Sequence, residues 1–154
     1  GLRAGTEFPV EVPTHYAALL EFAGGQSAQS TFSFQNALPR MGFLEISGTD
    51  GTLVLPDPNT FEGDSTLWRF GHKEPITLAA TGSTYGRGSG VLNLARAIRG
   101  SEGERASGAV AAHVLDVLLA ISVAAESGLP EDVTSSVAQP PPLDADWNPA
   151  ARTC

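Results

Sequence analysis

Cysteine is all but absent: Cys154 stands alone at the extreme terminus, where it cannot close an internal disulfide and reads as an exposed thiol. A disulfide-stapled scaffold is excluded, and a reducing compartment, the cytoplasm, is expected. Basic residues are scarce as well, 9 against 17 acidic, for a formal charge of −8. That balance opposes a sequence-independent attraction to phosphate backbones, so nucleic acid is not expected as a partner. Long apolar runs are missing too. The strongest, Val110 to Ala125, is interrupted by His113 and Asp116 and looks too short and too polar to span a bilayer, so no membrane partner is expected. The chain opens Gly1-Leu2-Arg3 with no initiator methionine or signal peptide, and it reads as a piece of something longer.

What is present suits a turn-rich domain. Hydrophobic residues make up 42% and charged residues 17% of 154, with 17 glycines and 11 prolines. A chain of this length buries roughly two-thirds of its unfolded surface in a single core.

Alternation dominates the first half. Tyr16, Ala18, Leu20 and Phe22 fall on one face of a strand over His15 to Phe22. They are answered by Ala28, Ser30, Phe32 and Phe34 on a return strand over Gln26 to Phe34, with Ala23-Gly24-Gly25 between. The other face of that return strand, Ser27, Gln29, Thr31 and Ser33, is polar, which antiparallel sheets permit. Residues 43 to 55 specify a second hairpin: Leu44 and Ile46 answer Leu53 and Leu55, and Gly48-Thr49-Asp50-Gly51 supplies residues that tolerate φ > 0. Strand signals resume at Ser65 to Phe70 and at Pro75 to Ala79 after the Pro56-Asp57-Pro58-Asn59 loop.

Two helices follow. The first is expected from Gly90 to Arg99, with Ser89 as its N-cap, Val91, Leu94, Ala95 and Ile98 as its buried stripe, and Gly100 as its stop. The second begins after Ser107 and ends before Gly128, with Val110, Val114, Val117, Leu118, Ile121 and Ala125 expected to pack on the sheet. One more strand is expected over Asp132 to Val137 before Pro140-Pro141-Pro142 stiffens the chain. The domain is therefore drawn over residues 1–143, with 144–154 as a peripheral tail.

Chemistry-bearing motifs are thin. Gly86, Gly88 and Gly90 lead into a helix but are spaced G-x-G-x-G, not the G-x-G-x-x-G of a dinucleotide site, so a flexible lead-in to the helix is the simpler reading; Arg87 could reach an anion there. His15, His72 and His113 lie on different elements with no zinc spacing; His113 beside Asp116 suggests an ion pair or interface contact. Glu45 is a lone strand carboxylate, solvated or paired across the strand. No G-x-S-x-G elbow positions a nucleophile. No catalytic, cofactor-binding or metal-binding residue is assigned.

The segments Leu44-Glu-Ile-Ser-Gly-Thr-Asp-Gly-Thr-Leu53, Pro56-Asp-Pro-Asn59, Gly86-Arg-Gly-Ser-Gly-Val91 and Arg105-Ala-Ser-Gly-Ala-Val-Ala-Ala-His-Val-Leu115, in that order, resemble the C-terminal domain of the Gfo/Idh/MocA oxidoreductases, the glucose-fructose oxidoreductase and inositol dehydrogenase type. The resemblance covers roughly Val12 to Leu143. It implies an α+β fold: an open, predominantly antiparallel sheet with helices packed on one face. It also implies a substrate-pocket wall and homo-oligomer contacts through the open sheet, in an enzyme that uses NAD or NADP on a sugar, cyclitol or polyol. The family's dinucleotide fingerprint, its Glu-Lys-Pro lysine and its Asp-x-x-x-His helix are all missing from this sequence, and Glu11 stands four residues before His15 where the Asp would be. The chain alone is accordingly expected to bind no cofactor and to be inactive, its Rossmann domain lying elsewhere. The alternative is a free-standing interaction or assembly module.

Overall fold

The period-two pattern around residue 20 folds as read. In the computed structural model, which describes residue 5 and residues 9–37, 44–82 and 86–151, β1 (His15–Glu21) pairs antiparallel with β2 (Ser27–Ser33). The register sets Tyr16 opposite Phe32, Ala18 opposite Ser30 and Leu20 opposite Ala28, so these share one face, and the other face of β2, Ser27, Gln29, Thr31 and Ser33, is polar. Gly25 turns the chain at φ 85°, a conformation glycine takes without steric cost. The Phe22 N–H closes the loop on the Gln26 carbonyl at 2.9 Å.

A second antiparallel sheet follows, built from β3 (Leu44–Ser47), β4 (Gly51–Leu55), β5 (Ser65–Arg69) and β6 (Ile76–Leu78) in sequential order. Leu44 faces Leu55, Ile46 faces Leu53, Leu53 faces Leu67, and Leu67 faces Ile76. An aliphatic ladder thus crosses all four strands on one face. The turn differs from expectation. Neither Gly48 nor Gly51 has a positive φ; the Gly48 N–H donates to the Gly51 carbonyl at 2.9 Å, a longer loop that needs no left-handed residue. Gly51 is required for another reason: a Cβ there would strike the backbone carbonyl of Trp68 on β5.

Two helices complete the described elements: α1 (Ser89–Ile98) and α2 (Gly108–Ser127). The architecture is α+β, and among the described residues β1 and β2 pair only with each other, so the strands form two antiparallel sheets. The chain divides into two units, one of Gly1–Pro39 with Val114–Ser135, the other of Arg40–His113 with Ser136–Cys154.

Helices packed on a sheet face were also expected, and within the first unit α2 meets β1 through Ser122 and Tyr16. On α2, half of the expected stripe, Val110, Val117 and Ile121, is half-buried together with His113 and Asp116, while Val114, Leu118 and Ala125 are exposed. Two polar contacts lie on this inward side: the Ser135 N–H donates to Asp116 Oδ2 at 3.0 Å, and Ser122 Oγ lies 3.4 Å from the Tyr16 hydroxyl. The first of these also replaces the expected strand over Asp132 to Val137, which has no ladder partner and runs as coil. Ser107 caps α2 as expected, its Oγ accepting from the Val110 N–H at 3.2 Å. With 20 residues, α2 is long and apolar enough by composition to cross a membrane, which corrects the expectation that this run is too short.

Candidate functional site

α1 buries the wrong face by the usual rule. Val91 and Ile98, expected inside, are 73% and 78% exposed, whereas Asn93 and Arg96 are 3% and 4% exposed. The helix begins at Gly88, φ 99°, with no side-chain cap; Ser89, the expected N-cap, is its first residue, with its hydroxyl donating to the Gly86 carbonyl at 2.7 Å. It stops as expected at Gly100, φ 75°. There the N–H groups of Gly100 and Ser101 return to the carbonyls of Ala97 and Arg96 at 2.9 and 3.1 Å, a Schellman closure that needs glycine in the left-handed region. The turn carries the chain directly into Glu102.

Glu102 is the centre of a polar core. Its carboxylate accepts from Arg96 Nη1 at 2.8 Å, from Asn93 Nδ2 at 2.8 Å and from the Trp147 indole Nε1 at 2.9 Å, and Arg105 Nη1 stands 3.8 Å away. Partial burial pushes this carboxyl up. Hydrogen bonds from Trp147, Asn93 and Arg96, with the charge of Arg96, outweigh that and hold it below its ordinary value of 4.5.

Trp147 is the one buried hydrophobic side chain among the described residues, 6% exposed, and Arg96 stacks over its ring at 5.0 Å. Arg96 Nη2 then donates to the backbone carbonyls of Asn148, Pro149 and Ala151 at 2.9, 3.1 and 2.8 Å. Arg105 Nε reaches the Pro142 carbonyl at 3.2 Å. A strap over residues 142–151 is therefore pinned onto α1 and the connector after it. The expectation that 144–154 is a peripheral tail fails for 144–151, because the buried partners of a helix can lie fifty residues downstream, where local pattern does not reach.

A second feature sits at one end of the four-stranded sheet. An open cleft of about 360 Å3 is lined by Leu44, Leu55, Pro56, Pro58, Phe61 and Ala80, with Asp57 and Glu62 among its walls. Its loop is held by the Asn59 N–H on Asp57 Oδ1 at 2.9 Å and by Thr60 on the Asp57 carbonyl. Arg87, considered for an anion, donates instead to Asn59 Oδ1 at 2.9 Å.

The structure brings together none of the three histidines, and among the described residues no group of His, Cys, Asp or Glu could hold a metal ion. Glu45 is exposed opposite Val54, and Cys154 lies outside the described residues. Asn93, Arg96, Glu102 and Trp147 were not singled out from the sequence; the available signal was a tryptophan followed by Asn-Pro in an otherwise small and polar tail. No protein-family model matches the chain, and neither does any curated protein or solved structure.

Proposed function

We propose that this chain is a non-catalytic portion of an NAD(P)-dependent oxidoreductase of the Gfo/Idh/MocA type, acting on a sugar, cyclitol or polyol in the cytoplasm. In this reading it supplies one wall of the substrate pocket and a sheet surface for contact between copies. The reacting lysine and histidine and the nicotinamide belong to a Rossmann domain and helix outside it. The observation that carries the reading is the ribbon Leu44–Leu55, whose segment order prompted the resemblance: it opens a four-stranded antiparallel sheet with an aliphatic face and ends at the cleft. In this reading Phe61 is the apolar platform for ring C–H groups, and Asp57 and Glu62, which line the same mostly apolar cleft, are the groups that would meet hydroxyls.

Titrating the purified chain with NADH or NADPH should give no saturable fluorescence change, and micromolar binding would overturn the division of labour. The uncovered aliphatic ladder also favours the second reading, a free-standing assembly module. The coding sequence before Gly1 separates the two: a dinucleotide-binding domain there supports the oxidoreductase, and its absence supports the module.

A further inference from the structure

The strap is held the way a peptide is held by a receptor. It has no regular secondary structure from Glu131 to Ala151 and inserts one aromatic anchor. The anchor is fixed by an indole N–H on a carboxylate, a guanidinium over the ring, and three carbonyls gathered by one arginine nitrogen. Tryptophan and arginine in a desolvated pocket are the residue types that dominate binding hot spots. The receptor side is contiguous and local: Asn93, Arg96 and Glu102 all come from α1 and its stop, and are bonded to each other before the strap is counted. Asn93 is spent on that shaping, with Nδ2 on Glu102 and Oδ1 accepting from the Arg105 N–H at 3.2 Å.

We propose that the Asn93–Arg96–Glu102 face is a recognition site for a Trp-Asn-Pro segment, occupied in cis by residues 147–149 and able to take the same segment in trans from a second copy of this chain. Every bond made in cis can be remade between copies, so exchange forfeits only the advantage of tethering, which is the condition for domain swapping. Pro140-Pro141-Pro142 leads into the strap, and a stiff proline segment can deliver the Trp147 anchor outward as readily as inward. The inference does not depend on the oxidoreductase reading.

The test is fluorescence anisotropy of a labelled synthetic peptide spanning Pro140 to Ala151, added to the full chain carrying Trp147→Ala, which removes the cis anchor. Saturable binding is expected. The unaltered chain should bind the peptide 10- to 100-fold more weakly, because its own strap competes at an effective concentration on the order of a millimolar. Adding Glu102→Gln to the Trp147→Ala chain should weaken binding about tenfold, through loss of a charge-assisted acceptor. If Trp147→Ala loses its circular dichroism spectrum, Trp147→Phe replaces it, keeping a ring for Arg96 while deleting the indole donor. No saturable binding to a folded variant would overturn the proposal. So would binding indifferent to Glu102→Gln, or a peptide carrying its own Trp147→Ala that binds equally well.

Discussion

At Arg96 and Glu102, charge sits where composition alone would place solvent. Each buried partner is matched: the guanidinium by a carboxylate and carbonyls, the carboxylate by three donors. Removing the guanidinium takes one donor from Glu102, which keeps Asn93 and Trp147, and leaves the carbonyls of Asn148, Pro149 and Ala151 without theirs. Arg96→Met should therefore destabilise the fold by about 1–3 kcal/mol in urea unfolding. Trp147→Ala, which removes a buried aromatic, should cost about 3–5 kcal/mol. Because the folded carboxyl of Glu102 is held below its ordinary 4.5, its contribution is fully present above that value and is lost as pH falls through the lower folded one. Protection of the Trp147 indole N–H from hydrogen exchange should hold above pH 4.5 and decline below it. With Glu102→Gln that decline should disappear, and an unchanged decline would assign it to another carboxylate.

At the scale of elements, the hairpins were legible and the helices were legible only along their axes. Strand pairing is written locally: period two fixes the faces, and a short turn fixes the register, so Leu44 opposite Leu55 follows from residues a dozen apart. Helix ends are local too, and Ser107 and Gly100 act as read. Which side of a helix is buried depends on what arrives from elsewhere. For α1 that is Trp147, and the apolar stripe Val91, Leu94 and Ile98 was left outside. Val91→Lys and Ile98→Lys should each change stability by no more than about 0.5 kcal/mol, the range for surface substitutions, where an amphipathic reading would forecast a large loss. Gly51 makes the converse point: its turn is undemanding, but the neighbouring strand is not. Gly51→Ala should cost about 1–3 kcal/mol by forcing β4 away from the Trp68 carbonyl. The Pro56–Asn59 loop that lines the cleft was legible as a loop, but the polar core around Glu102 was not, since its two halves stand some forty to fifty positions apart.

For the whole molecule the surface is the telling quantity. Large apolar side chains stand exposed in each unit taken by itself: Phe22, Phe32 and Phe34 in one, Leu44, Ile46, Ile76 and Leu78 in the other. Apolar side chains gathered on one sheet face mark an interaction surface. Sedimentation should show association that rises with concentration, and Ile46→Glu with Ile76→Glu, which place charge at the two edge strands of the aliphatic ladder, should shift it toward monomer. A concentration-independent monomer would argue against sheet-mediated assembly.

The burial of Trp147 has a practical side. The chain has 2 tryptophans: one is sealed beneath a guanidinium, while Trp68 on β5 is 47% exposed. Acrylamide should quench Trp68 emission well before that of Trp147, so a single spectrum carries two colours of information. One native emitter reports on the sheet, the other on the strap, and neither needs a dye.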